Sequence, residues 1–342
     1  MDSRPFQFMI TRRRMEQERD WFYPAIAMTV LICVVASLGD GSPLPLLAIF
    51  PMWLLVGLLS LGAVVMGFVV RLMAGGKVDP FRQLAGQLKE ASWPSLGFCL
   101  AGLNLCGFMR VKPLLNRLVP FSADPLLARI DRAIFFGHDG AQLLSRFNTD
   151  ALAIFYSRAW FVFLAVALLA TLFRPPSREK TQLMIVYFAL WTFVGPSIHL
   201  LAPAAGPLFY KEIGFGNHFD YLLMPTDLSI FRDYLWRSYV SGNAGPGAGI
   251  SAMPSMHVAT TAWAAIAIRQ LWPRATFFVA AFTIFIIILS VALGWHYLVD
   301  GLIGILSLFA LLGIEPRIWK WAEKIRSFWR VDGQPLPSSG EA

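Results

Sequence analysis

Two short stretches of this chain hold residue types that can move a phosphoryl group. The first is Ser251-Ala252-Met253-Pro254-Ser255-Met256-His257-Val258-Ala259. The second is Leu293-Gly294-Trp295-His296-Tyr297-Leu298-Val299-Asp300-Gly301. An imidazole attacks phosphorus well when one ring nitrogen is held as N–H and the other keeps its lone pair. His296 and Asp300 are four residues apart, which on a helix places them on one face, and the carboxylate can then fix the ring. His257 can donate a proton to the departing oxygen. Pro254 and Ser255 suit a helix start near Pro254, where free N–H groups favour a bound phosphate and Ser255 adds a hydroxyl. The chemistry needs no metal and no cofactor. Each motif alone has a plainer reading. A single histidine at a helix end can be an interfacial polar group, and a His-x-x-x-Asp pair can be a structural hydrogen bond. Two such motifs at one depth favour chemistry.

What must position these residues is read from the apolar runs. The chain has 342 residues, 56% of them hydrophobic and 15% charged, with a mean hydropathy of +0.58. Soluble domains are about 25% charged, so this chain lacks the charge to cover a soluble surface. Disorder is excluded for the same reason. The net charge of +8 lies between long apolar runs and does not read as a nucleic-acid footprint. The expected partner is a bilayer and not a nucleic acid. Spans of about 20 apolar residues are expected at 21–39, 41–70, 91–109, 151–173, 181–202, from 254 to 268, 275–293 and 295–314. The expected fold is all-α, a polytopic bundle of about eight membrane helices. The segment 110–150 reads as amphipathic helices at the interface, with Asp124-Pro125 as a helix start.

Lysine and arginine give an orientation. With the N-terminus inside, 19 basic residues fall in inner segments and nine in outer ones. Both termini are then cytoplasmic, and both histidine motifs face the extracytoplasmic side. The six basic residues of 110–150 run against this count. Residues 1–90 would form two N-terminal spans with basic segments, 91–314 a six-helix core, and 315–342 a basic tail. Cys33, Cys99 and Cys106 sit in apolar runs and are expected to be small buried hydrophobes without a disulfide. The 12 tryptophans read as interfacial belt and lipid-facing packing.

Pro-Ser-x-His followed by His-x-x-x-Asp resembles the second and third signature motifs of the type 2 phosphatidic acid phosphatase superfamily. The resemblance implies a six-helix core, a phosphohistidine on His296, a general acid in His257 and an orienting Asp300. It also shows departures. The usual Lys-x6-Arg-Pro first motif is not visible before the second, and Leu289-Ser290 stand where Ser-Arg is usual. Both departures resemble the branch containing inositol phosphorylceramide synthases. So do Asp131-Arg132-Ala133-Ile134-Phe135-Phe136-Gly137, Pro203-Ala204-Ala205-Gly206-Pro207-Leu208-Phe209-Tyr210 and the Gly-rich approach to His257. That branch implies transfer of a phosphoryl head group between lipids, with hydrolysis of a lipid phosphate or polyprenyl diphosphate as the alternative. A transporter using His257, His296 and Asp300 as a proton relay is the reading of another class. With the usual cations missing, Lys211 and Arg158 are the candidates to bind phosphate, beside Ser255. A solvated loop lysine and a snorkelling arginine are the plainer readings of the first two.

Overall fold

The computed structural model describes residues 12–39, 44–74, 92–242 and 245–331, and all regular structure in them is helical. Two long helices, α1 (Arg12–Ser37) and α2 (Leu44–Ala74), precede α3 (Ser92–Leu118). A short helix α4 (Asp124–Ile134) leads through a single turn at Gly140–Leu143 to α5 (Asp150–Leu172). Next comes α6 (Arg178–Leu201), with one π-helical turn at Leu190–Val194 just before Gly195-Pro196. Proline cannot donate to the ladder, so such a local widening is expected beside it. The chain ends in α7 (Thr226–Ser241), α8 (Met256–Leu271), α9 (Thr276–Ala292) and α10 (Leu298–Val331).

Among the described residues, seven helices are long and apolar enough to cross a membrane, where eight spans were expected. The difference is α8. It has 16 residues, about 24 Å of rise, and most of its side chains are buried against α5, α9 and α10. The lipid-facing surface lies elsewhere. Leu55, Leu58, Leu59 and Met66 on α2 and Phe277 and Phe278 on α9 are exposed large apolar side chains. In water they would be a liability, and in a bilayer they face acyl chains.

Several boundaries differ from expectation. The third span is expected to end before Arg110, but α3 continues to Leu118 and carries Arg110, Lys112 and Arg117 along its last turns. The last helix does not stop near Ile314 and runs to Val331. The five basic residues of the expected tail, Arg317 to Arg330, therefore lie on this helix, while residues 332–342 and most of the inner segment 71–90 lie outside the described residues. Cys106 is buried as expected, whereas Cys99 is only partly buried and Cys33 is exposed.

The two N-terminal helices pack on the rest of the bundle. Trp21, Ala25 and Ile32 of α1 are buried in the main core, and α1 lies along α3 and α6. Lys180 of α6 bonds Glu18 of α1 at 2.6 Å, both side chains almost fully buried. The ammonium also donates to the carbonyls of Leu172 (2.8 Å) and Arg174 (3.0 Å), and Trp21 Nε1 donates to Glu18. A buried charge pair holds only when its remaining hydrogen bonds are met in this way.

By connectivity, the C-terminal end of α3, the N-terminal ends of α5, α8 and α10, and the loops 119–149 and 202–255 share one end of the bundle. The candidate site lies there.

Candidate active site

Ser255 is the N-cap of α8, and its side chain accepts from Val258 N–H at 3.4 Å. The helix therefore starts at Met256, two residues after the expected proline, and His257 is its second residue. Ser255 is fully buried. Its backbone N–H donates to the carbonyl of Asp300 at 3.1 Å, which ties the two motifs together. Further along, a Cβ on Gly304 would lie 2.9 Å from the Ser255 carbonyl and 3.2 Å from Ala259 Cβ, so α8 and α10 approach as closely as a glycine permits.

The second motif differs from its expected form. α10 begins at Leu298, so His296 and Tyr297 precede the helix. His296 and Asp300 do not share a helix face. A turn brings them together, with Nδ1 of His296 3.5 Å from Oδ2 of Asp300. That same oxygen accepts the Tyr297 N–H at 2.8 Å, a carboxylate reaching back to cap its own helix. The closest partner of the His296 ring is instead the Ala252 carbonyl, 2.7 Å from Nδ1. A carbonyl can only accept, so Nδ1 carries the proton and Nε2 keeps its lone pair. Sequence reasoning gave this task to Asp300 alone. The structure divides it between a carbonyl that fixes the tautomer and a buried carboxylate that supplies charge.

His257 lies across from His296, with ring centroids 6.3 Å apart. Its ring is held by stacking. Tyr156 lies against it at 4.9 Å and Trp160 at 4.1 Å, both from α5. Trp160 is fixed by donating Nε1–H to Thr260 Oγ1 at 3.0 Å. Among the described residues the His257 ring nitrogens make no hydrogen bond, which leaves them to a substrate oxygen. A phosphorus atom between the rings would meet the Nε2 lone pair of His296 on one side and the ring nitrogens of His257 on the other.

The loop 203–208 holds the two motifs in register. The Ala204 carbonyl accepts Ala252 N–H (2.8 Å), and Leu208 N–H donates to the Gly294 carbonyl (3.0 Å). Gly206 has φ of +94°, and a Cβ there would lie 2.5 Å from the Trp295 carbonyl oxygen. Asp124, fully buried at the start of α4, accepts the N–H groups of Ala205 (2.9 Å) and Gly206 (2.7 Å) and the Tyr297 hydroxyl (3.1 Å). Burial pushes the Asp124 carboxyl up to about 6 against these bonds, which pull the other way. Burial, with the charge of Asp124 beside it, also raises the Tyr297 hydroxyl. Asp131, about two turns further along α4, accepts Val299 N–H at 3.2 Å. Burial, and to a lesser degree Asp300, push its carboxyl up to about 7. A small cleft beside His296 is lined by Asp131, Asp139, Phe219 and Tyr297.

The expected phosphate ligands are scattered. Arg158 is exposed on α5, two residues from both Tyr156 and Trp160, and so lies on the far side of the helix from His257. Lys211 is exposed and pairs with Asp220 at 2.7 Å. Ser290, where the usual arginine is absent, donates to the Ile287 carbonyl. His218 is bonded to Asp139 at the rim (2.9 Å), and His199 is a buried polar group between Asn116 and Ser251. The cation that sequence reasoning passed over is Lys112 on α3. It lies against the Gly-rich approach to His257, where a Cβ on Gly249 would be 2.6 Å from Lys112 Cβ. The signal was hidden because a span ended at the first charge excludes every residue after it.

No curated protein and no solved structure matches this chain. The family model of the PAP2 superfamily matches residues 126–314. The matched stretch holds α5 to α9, both histidines and Asp300, and begins within α4, so α3 with Lys112 precedes it. With more than half of its length matched, and with the paired motifs inside the match, the chain belongs to the PAP2 superfamily.

Proposed function

We propose that this protein is a membrane phosphotransferase that moves a phosphoryl head group between lipids, in the manner of an inositol phosphorylceramide synthase. The observation that carries the reaction type is the His296 ring, with Nδ1 tied to the Ala252 carbonyl and Nε2 left free across from His257. In the first step the Nε2 lone pair forms a bond to phosphorus. The bond from phosphorus to the leaving lipid oxygen breaks, and His257 protonates that oxygen. In the second step an acceptor hydroxyl attacks phosphorus, the N–P bond breaks, and His257 takes the acceptor's proton. Asp300 stabilises the positively charged phosphoimidazolium between the steps and acts as a positioning residue. The N-terminal end of α8, shaped by Ser255, receives the phosphoryl oxygens.

Two observations favour transfer over hydrolysis. His296 is almost fully buried, which limits the access of bulk water to the intermediate. The cleft beside it presents Asp131 and Asp139. Their carboxyl oxygens can accept hydrogen bonds from the hydroxyls of a polyol head group. We place this site on the extracytoplasmic side, on the distribution of basic residues.

The test is turnover by the detergent-purified chain. Labelled phosphatidylinositol is offered with ceramide or diacylglycerol, in parallel with phosphatidate and a polyprenyl diphosphate. Transfer of the labelled head group to a lipid acceptor, abolished in His296→Ala, is the expected result. Release of inorganic phosphate from the monoesters with no transfer product would make the protein a phosphatase. Unchanged turnover in His296→Ala would overturn the covalent mechanism.

A further inference from the structure

The superfamily's usual cations are missing from this chain, yet a phosphoryl group entering the site carries negative charge that something must meet. The surroundings of α3 supply a candidate. Lys112 lies six residues before the end of α3, about 9 Å along the helix from its last residue. At this level α3 is pressed against the Gly-rich approach to His257. A Cβ on Gly249 would lie 2.6 Å from Lys112 Cβ and 2.9 Å from Pro113, and Gly249 has φ of +98°, so only glycine fits.

One turn further on, Asn116 bolts the two segments together. Its Oδ1 accepts Ile250 N–H (2.9 Å), and its Nδ2 donates to the Ile250 carbonyl (2.7 Å). Nδ2 also lies 3.3 Å from His199 Nε2, and His199 Nδ1 is 3.0 Å from Ser251 Oγ. Lys112 is thus held at a fixed place relative to the turn that carries His257. Its side chain is half-buried, and among the described residues its ammonium makes no hydrogen bond or ion pair. An unpaired ammonium in a membrane helix is costly and calls for an anion. Of the other cations near this end, Arg117 donates to the Gly242 carbonyl, Arg132 pairs with Asp139, and Arg232 pairs with Glu212 and Asp233.

We propose that Lys112 binds the non-bridging phosphoryl oxygens of the substrate beside His257, replacing from α3 the cations missing from the motifs. This rests on the phosphoryl-transfer reading of the site. It adds that the phosphate pocket is completed by a helix outside the stretch matched to the family, so a chain cut before α3 would keep both histidines and lose the anion site.

The experiment measures binding of inorganic phosphate and of orthovanadate to the full-length chain in detergent, by the shift in thermal unfolding midpoint. Wild type, His296→Ala, Lys112→Met and Lys112→Arg are compared, and phosphohistidine is trapped from labelled lipid in parallel. Wild type and His296→Ala are expected to bind both anions. Lys112→Met is expected to bind them about 10- to 100-fold more weakly, and Lys112→Arg to keep most of the affinity. Without ligand, Lys112→Met should unfold at the same temperature as wild type or higher, because it removes an unpaired ammonium. A merely structural lysine would instead lower that midpoint and leave anion affinity unchanged. Anion binding by Lys112→Met within threefold of wild type overturns the proposal, as does failure of wild type to bind either anion. Lysine-dependent anion binding without any phosphohistidine would leave the anion site standing and overturn the reaction assigned to it.

Discussion

Replacing Asp300 by asparagine separates two roles that are usually carried by one carboxylate. Attack by Nε2 turns a neutral imidazole into a phosphoimidazolium, because Nδ1 keeps its proton against the Ala252 carbonyl. The nearest compensating charge is the Asp300 carboxylate, 3.5 Å away and fully buried. Coulomb's law at an effective dielectric of about 20 gives about 5 kcal/mol for a full charge at that distance. A transition state with about half the charge developed would lose about 2–3 kcal/mol, a fall of about 30- to 150-fold in the rate of phosphohistidine formation. The fold should tolerate the change, since the asparagine oxygen can still accept the Tyr297 N–H that Oδ2 accepts now. The loss should also stay well below the roughly 10⁴-fold seen where an aspartate alone sets the tautomer. The assay is single-turnover formation of phosphohistidine from labelled lipid, with the circular dichroism and unfolding midpoint checked alongside. A loss near 10⁴-fold in a folded protein would show that Asp300, not the Ala252 carbonyl, controls the ring. A rate within threefold of wild type would show that the carboxylate charge plays no part. Either result refutes the division of labour argued here.

Gly206→Ala should lower turnover at least tenfold, because its Cβ would displace the Trp295 carbonyl, one peptide from His296. Gly214→Ala is the control: it has φ of +91° but open space around its Cβ, so it brings only the backbone strain of about 1–3 kcal/mol. Equal turnover in the two variants would contradict the clash. Asp131 gives a pH dependence whose sign is fixed by the raised carboxyl. The folded chain holds this proton up to about pH 7, whereas the unfolded chain releases it near 4, so stability falls as pH rises across that window. Asp131→Asn, which keeps an acceptor for Val299 N–H, should be more stable than wild type at pH 8 by about 2–4 kcal/mol relative to the difference at pH 4. Parallel unfolding midpoints at the two pH values would count against it. For sidedness, in a background without native cysteines, Asn217→Cys on the loop after α6 should react with an impermeant maleimide in intact cells. Glu179→Cys should react only after permeabilisation, and the opposite pattern would invert the orientation.

His257, His296 and Asp300 could be picked out from residue type and spacing because two polar motifs in apolar surroundings stand out, and the structure brings the three together. Their local geometry could not. A spacing of four is the same number on a helix and in a turn, so nothing in His296-x-x-x-Asp300 tells that the helix starts only at Leu298. Arg158 looked promising because it is the one charge in its span. Its neighbours Tyr156 and Trp160 turned out to face His257, which puts Arg158 on the other side of α5. Lys112 is hidden for the opposite reason: by composition Arg110 marks the end of a span, although α3 continues through it.

By itself the sequence determined the class of molecule. The excess of apolar residues and the shortage of charge require a membrane solvent, and the paired histidine motifs hold residue types suited to phosphoryl transfer. Both are properties of composition and short-range order. Only the tertiary structure decided which group sets the His296 tautomer and that loop 203–208 and Asp124 lock the two motifs together. The Ala252 carbonyl is 44 residues from His296 in the chain and Asp124 is 173 from Tyr297. Contacts at such separations depend on how helices pack and on where glycines let backbones approach, and no local pattern encodes them.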